Sequence, residues 1–255
     1  MWFHRAVALL SLAFSCILPA AEIPPPVKAL SWNLHHGAGL DGKIDLTRIA
    51  GFIKKQEADL VVLQEVDNRC KRSGNIDQAA ELAKLTGLHG AFGAAMPYDG
   101  GQYGLAILSK HPIRKTEVIR LPGSGEPRIG FVAEIQTPAG IVTLVSTHFD
   151  HRSGENRIAQ AKELITALEK IPGPVIIGGD LNDVPGSPAL TLFKKPWLHV
   201  NKRNPAATCP ADHPKSEIDH FIVRGLQPVK EAEVLEEAIS SDHRPIIATL
   251  VIAKP

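Results

Sequence analysis

The chain has 255 residues, with 28 Lys+Arg against 27 Asp+Glu, 44% hydrophobic residues and 5% aromatic ones. That length and apolar content suit one globular domain with a full core. The balanced charge and sparse aromatics argue against a broad duplex-binding face or a surface that stacks many bases.

Residues 1–21 read as a secretory signal peptide. MWFHR is a short positive region, AVALLSLAFSCIL an apolar run, and PAAE supplies small residues for cleavage near Ala20 or Ala21. The apolar run falls short of the roughly 20 residues a membrane span requires. No later stretch reaches that length, so a secreted or periplasmic protein without a transmembrane helix is expected, with an uncleaved anchor as the rival reading. A lipoprotein through Cys16 fits less well, because AFSC lacks a Leu three residues before the Cys. Residues 22–26, which take in most of IPPPV, read as a stiff spacer, and a single domain is expected over 27–253.

VKALSWNL reads as the first strand. DLTRIAGFIKKQ follows as a helix, with Leu46, Ile49, Ala50 and Ile53 at helical spacing and Asp45 as its N-cap. DLVVLQE is a short buried strand. NIDQAAELAKLTG predicts a second helix, with Asn75 and Gln78 at capping-box spacing and Gly87 at its end. GLAILSK, IRKTEVIRL, IGFVAEIQT and GIVTLVSTH are strand-like, the last two joined by a TPAG hairpin turn. SGENRIAQAKELITALEK is the clearest helix, with a stripe of Ile158, Ala161, Leu164, Ile165 and Leu168. GPVIIGGD is another buried strand. GSPALTLF predicts a short helix with Ser187 as cap and Pro188 at its first position. EIDHFIV, PVKEAEVL and RPIIATLVI close the chain as strands. KHPIRK and KKPW read as solvated faces. Strands outnumber helices, and the helices are interspersed. This favours two stacked β-sheets with helices outside, an α/β single domain, over one parallel sheet.

Cys70 and Cys209 lie in polar, loop-like sequence. Export permits a disulfide between them, and two free thiols fit the sequence equally well. No CxxC pair or HExxH helix suggests a tetrahedral zinc site.

Several apolar strands end in polar groups that a core disfavours. LSWN ends at Asn33, VVLQE at Glu65, TLVSTH at His148, and VIIGGDLN at Asp180 and Asn182. SEID carries Asp219, and ISSDH carries Asp242 and His243 just before the last strand. Strand ends are where rigid scaffolds present functional groups. Glu and Asn oxygens are hard ligands that suit Mg²⁺ or Mn²⁺, and Asp with His is a pairing that orients and charges an imidazole. GxSxG and a glycine-rich nucleotide loop are both missing from the sequence. Metal-assisted attack of water on a phosphoester is the reading this set supports. The twin glycines before Asp180 are expected to let the backbone turn and the substrate come close.

The motifs WNLHHG, LQEVD, YGLAILS, VSTHFDH, GGDLND, EIDHF and SDHRPI resemble, in order, those of the endonuclease/exonuclease/phosphatase superfamily. The resemblance runs from about Val27 to Val251 and implies a four-layer α/β/β/α sandwich. It also implies roles. Asn33 and Glu65 are the metal-side pair, with Glu65 the principal ligand, and Asp242 is a further metal-site acid. Asp180 orients or deprotonates the attacking water, with Asn182 as its partner. His243 is an imidazole steered by Asp219. His148 stabilises charge on phosphate oxygens, and Tyr103 contacts phosphate. On the bland reading, Tyr103 is a core aromatic, Asp219 a satisfied core carboxylate, and Asn33 a turn residue. His35, His36 and His151 fit the rim, and Arg157 fits either the site or the surface. Leu105 stands where many family members carry Asn. His35 stands where abasic-site repair nucleases carry an acid, and those enzymes lack a His at the place of His148. Both differences point away from DNA repair.

The function expected is a secreted, Mg²⁺-dependent phosphodiesterase, with Mn²⁺ as the alternative metal. It would act as a monomer on a small phosphoester or lipid head group: a phospholipid, an inositol phosphate or a nucleotide. A secreted non-specific nuclease is the alternative, with nucleic acid as the partner, and a non-catalytic binding domain on the same fold is the second. The loops VDNRCKRSGNID and RLPGSGEPR are candidates for gripping an anionic substrate.

Overall fold

A computed structural model of the chain describes residues 25–253, so the expected leader lies outside the described residues. Thirteen strands and three α-helices alternate along them. The first half holds β1 (Val27–Asn33), α1 (Leu46–Gln56), β2 (Leu60–Asn68), α2 (Gln78–Thr86), β3 (His89–Tyr98), β4 (Gly101–Ser109) and β5 (Ile113–Leu121). The second holds β6 (Arg128–Thr137), β7 (Gly140–His148), α3 (Gly154–Glu169), β8 (Val175–Asp180), β9 (Trp197–His199) and β10 (Asp219–Arg224). β11 (Leu226–Pro228), β12 (Glu233–Val234) and β13 (Ile246–Ile252) close the chain.

Two mixed sheets form. One runs β11-β13-β1-β2-β4-β3, with β12 also paired to β13, and the other runs β5-β6-β7-β8-β10-β9. Each has one parallel pair at its centre, β1–β2 and β7–β8. Strand residues alternate between faces, and both faces of each sheet are covered. Leu60, Val62, Phe131, Leu144, Ile176 and Phe221 fill the space between the sheets. Val61 and Leu63, facing the other way from β2, pack with Ile49 and Ile53 of α1 and Leu82 of α2. Val145 and Ile177 pack against Ala161, Leu164 and Leu168 of α3. The result is the expected α/β/β/α sandwich. Double coverage explains why VVL and VII read as unbroken apolar runs.

α1 starts where expected, with Asp45 Oδ1 accepting the Arg48 N–H at 2.9 Å. α2 is capped by Asp77, not Asn75. Asp77 accepts from the Ala80 N–H, while Asn75 sits at φ 58° in the turn before it. Gln78 is buried and ties the end of β2 to the turn after β1, accepting from the Asp67 N–H at 2.9 Å and donating to the His36 carbonyl at 2.7 Å.

Other departures have physical causes. HGAFGAAMPY, read as no element, is strand β3. Its glycine content hid it, yet Gly93 is needed there, because a Cβ would lie 2.4 Å from the Phe131 ring of the facing sheet. The expected helix over GSPALTLF shrinks to one 3₁₀ turn at Leu190–Leu192. The expected strand PVKEAEVL splits into part of β11 and β12. KKPW is solvated up to Pro196 but not at Trp197, which is buried against Phe193 and opens β9. Cys70 and Cys209 are free thiols, and the Cys70 Sγ–H faces the carbonyls of Tyr98 and Gln102.

Candidate active site

The strand ends singled out in the sequence meet on one rim of the sandwich. His148 and Asp180 are paired in register at the ends of parallel β7 and β8, and Asp219 opens β10 opposite Asp180. Asn33 ends β1 on the other sheet. Glu65 does not end β2, because the strand continues to Asn68 through a register shift between Leu63 and Val66. That bulge turns the chain at Glu65, which sits at φ 54°. Asn182 sits at φ 49°. Left-handed backbone at non-glycine residues costs on the order of 1–3 kcal/mol each and concentrates at functional sites.

The contacts knit the two sheets together. The Asn33 amide donates to Glu65 Oε1 at 3.0 Å and to Asp180 Oδ2 at 3.1 Å, while its own oxygen accepts the His35 N–H. Asp180 Oδ1 accepts the Asn182 N–H at 2.9 Å, and the Asn182 amide donates to the Phe149 carbonyl at 3.0 Å. Two imidazoles flank Asp180 Oδ2, His148 Nε2 at 3.5 Å and His243 Nε2 at 3.7 Å. His243 Nδ1 lies 2.9 Å from Asp219 Oδ2, which also accepts the Thr208 hydroxyl at 2.6 Å. The Ser241 hydroxyl donates to the Asn33 carbonyl at 2.6 Å, tying the loop before β13 to β1.

Burial sets the protonation states. It raises Asp180, reinforced by Asp219 and opposed by His243, to a pKa of about 7. Burial holds the His148 imidazole neutral, with Arg128 and His243 acting the same way. It also works against the His243 imidazolium, but Asp219, Cys209 and Asp180 together outweigh it, so His243 carries charge well above the ordinary histidine range. Burial, aided by Glu65 and Glu126, keeps the Tyr103 phenol protonated. A carboxylate with a pKa near 7 can take a proton from water, and a neighbouring imidazolium can donate one.

Glu65, Tyr103, His148, Asp180, Asn182 and His243 line a cavity of about 330 Å³ together with Arg72, Met96, Tyr98, Glu126, Arg128 and His151, while Asn33 and Asp219 contact lining residues without lining it themselves. Tyr103 is in its wall and 8% exposed. Sequence reasoning flagged the loops that carry Arg72, Glu126 and Arg128 but not the residues, and it missed Met96 and Tyr98 on the unrecognised β3. Arg72 is clamped by Asp67 through two 2.8 Å bonds and stacks over Tyr98, its guanidinium 4.4 Å from the ring centroid. Arg128 lies 3.2 Å from Glu126 and 3.1 Å from His151 Nδ1. Arg157 acts behind the wall, donating to Asp183 and to the Asp150 carbonyl. Leu105 belongs to the core between the sheets. Asp242 is not among the cavity-lining residues; its carboxylate is 3.4 Å from the Ser241 hydroxyl.

Among the described residues, the His and acid side chains close enough to share one metal ion are Asp180, Asp219 and His243. Of the expected metal-side residues, Asn33 and Glu65 are in direct contact at 3.0 Å, the Asn33 amide turning its N–H groups to the Glu65 and Asp180 carboxylates. A divalent cation nonetheless fits the donor set. Glu65, Asp180 and Asp219 bring three carboxylates against one imidazolium, and Asp219 Oδ1 is buried without a hydrogen-bond partner. Oxygen donors with excess negative charge suit a hard cation. The twin glycines serve packing rather than substrate approach: a Cβ on Gly179 would stand 1.9 Å from the Thr147 carbonyl oxygen, and one on Gly178 would stand 2.6 Å from Val62.

Residues 30–243 match the sequence model of the endonuclease/exonuclease/phosphatase family. The 5′-tyrosyl-DNA phosphodiesterase of Caenorhabditis elegans is 29% identical over 169 residues, 61% of this chain and 42% of that protein. Its Caenorhabditis briggsae counterpart is 30% identical over 167 residues, 60% and 43%. The chain thus matches less than half the length of these curated relatives. Two solved structures share the fold. An endonuclease/exonuclease/phosphatase from Beutenbergia cavernae has a TM-score of 0.74 and 24% identity, covering 90% of this chain and 72% of that one. A mannosyl-6-phosphatase from Bacteroides thetaiotaomicron has a TM-score of 0.72 and 19% identity, covering 89% and 100%.

Proposed function

The chain belongs to the endonuclease/exonuclease/phosphatase family, and from that premise we propose that it is a secreted, Mg²⁺-dependent phosphodiesterase working by attack of water on phosphorus. The observation that carries the reading is the Asp180 carboxylate, buried between two imidazoles and aligned by Asn33 and Asn182. No structural need of the fold calls for such a cluster, and its burial is costly without a catalytic return.

Asp180 receives the proton of the attacking water, with Asn182 holding the water in line. His243, kept charged by Asp219, donates toward the phosphate and the departing oxygen. His148 and Tyr103 donate to the non-bridging oxygens as their charge builds. Glu65, in contact with Asn33, would hold the divalent cation, which supplies charge neutralisation at the phosphoryl group when bound. A cavity of about 330 Å³ suits a compact head group, sugar phosphate or nucleotide. The leader composition of residues 1–21 supports export. No helix among the described residues is long and apolar enough to cross a membrane.

A nuclease-like reading has one observation in its favour: the curated relatives are named for a phosphodiesterase acting on tyrosyl-DNA. A panel of sphingomyelin, phosphatidylinositol species, plasmid DNA, RNA and bis-p-nitrophenyl phosphate, run with Mg²⁺ and with chelator, separates the two. Turnover of small or lipid diesters with little loss at raised salt supports the proposal. Activity confined to polymeric DNA, falling steeply with salt, supports the nuclease. A Glu65→Ala or His243→Ala protein with undiminished rate overturns the site.

A further inference from the structure

A second and larger cavity, about 610 Å³, shares no lining residue with the catalytic one and is lined by Phe193, His199, Val200, Lys202, Glu217 and His220 among others. One of its lining groups is the Lys202 ammonium, whose side chain is 1% exposed. A lysine this deep is rare and requires partners for all three N–H groups. Lys202 has three. Its Nζ is 2.9 Å from the Asp219 carbonyl oxygen, 2.6 Å from Glu217 Oε1 and 3.3 Å from His220 Nδ1.

The third contact reaches further. Because Lys202 can only donate, His220 Nδ1 accepts, and His220 Nε2 carries the proton it gives to the Asp183 carbonyl at 2.9 Å. Burial and Lys202 push the His220 pKa down to about 3, in keeping with that neutral tautomer. Asp183 follows Asn182 in the turn after β8 and is held on its other side by Arg157. One buried ammonium therefore fixes two backbone carbonyls. One belongs to Asp219, which steers His243; the other lies, through His220, in the turn that carries Asp180 and Asn182. Neither the substrate cavity nor the folding core needs a charge at this point.

We propose that Lys202 is a positioning residue. It locks the start of β10 to the turn after β8, and so sets the His243–Asp219 pair against Asp180. This rests on the catalytic assignment above, since it presumes that this alignment matters for turnover. It acts only through backbone and His220 and touches neither substrate nor metal. Its charge is neutralised by Glu217, so its contribution is geometric rather than a field at the phosphate.

The test is Lys202→Met, which keeps the stem and removes the donors, with Glu217→Gln as a milder companion at the half-buried edge of the cluster. For Lys202→Met, kcat on bis-p-nitrophenyl phosphate with Mg²⁺ should fall about 10–100-fold, as a displacement near 1 Å would cause. KM should stay within about twofold, because no substrate contact is lost. In ¹⁵N-histidine-labelled protein, the Nδ1–H resonance of His243 should shift or broaden. Glu217→Gln should lower kcat several-fold with the same unchanged KM. Wild-type kcat in Lys202→Met, or a lower kcat with the His243 resonance unmoved, overturns the proposal. If Lys202→Met does not fold, wild-type kcat in Glu217→Gln overturns it. The resonance reads geometry without turnover. An inactive wild-type enzyme would therefore defeat the catalytic reading, whereas an unmoved resonance would defeat this one.

Discussion

The floor and the mouth of the catalytic cavity are built by different rules. On the floor, His148, Asp180 and His243, with Asp219 bonded to His243, are 1–6% exposed, stand on or beside strand ends, and are hydrogen-bonded to one another or to neighbours. At the mouth, Tyr98 is 40% exposed on the β3–β4 hairpin, and Arg72 sits in a loop between β2 and α2. The floor has the rigidity that chemistry requires. The mouth, in a loop and at a hairpin end, is where substrate choice is expected to reside. Substitutions on the floor should therefore change kcat, and substitutions at the mouth should change KM.

The largest effect is expected on the floor. Asp180→Asn and His243→Ala should each lower kcat by about 10³-fold or more, with KM little changed, in steady-state assays on bis-p-nitrophenyl phosphate. A loss confined to KM would erase the distinction. Next comes the cation. Mg²⁺ should raise the Tm of chelator-treated wild type, as a ligand that binds only the folded state does. It should do so far less for Glu65→Gln, whose activity should fall by roughly 10²-fold.

The Lys202–His220 cluster, outside the floor, should be acid-labile. His220 is neutral in the fold, with a pKa near 3 against an ordinary 6.5. Between those values the unfolded chain binds the extra proton, so the stability conferred by the neutral ring is present above pH 6.5 and is lost as pH falls toward 3. His220→Gln should flatten that part of the curve of unfolding free energy against pH, measured by urea titration; an unchanged slope would show that His220 contributes nothing to it. The smallest effect belongs to the mouth. Tyr98→Ala should raise KM about 5–10-fold with kcat nearly intact, because it removes a face on which Arg72 stacks and an organic group can rest. A larger fall in kcat than in affinity would move Tyr98 to the floor.

The same contrast governs what the sequence discloses. A carboxylate or imidazole at the end of an apolar strand stands out, because the core around it should reject it; Asp180, His148 and Asp219 were legible for that reason. Glu65 was legible as a residue but not in its setting, since a bulge leaves no mark in LQEVD. Tyr98 was invisible because GAFGAAMPY lacks the β-branched residues of a strand. Its glycines make sense only once Phe131 of the other sheet faces Gly93. Asn33 was placed correctly on the rim, while the direction of its amide depends on two carboxylates from distant strands. Lys202 offered no signal, as its partners lie 15–18 residues away and its burial follows from how β9 and β10 pair.

Hydrolysis of bis-p-nitrophenyl phosphate by wild type and His243→Ala, each with Mg²⁺ and then with EDTA, tests most directly whether the rim residues form one metal-assisted phosphoesterase centre. Wild type should turn over only with Mg²⁺, lose the activity in EDTA and regain it on metal addition, and His243→Ala should be slow throughout. Equal rates for the two proteins, or a wild-type rate indifferent to EDTA, would contradict that centre.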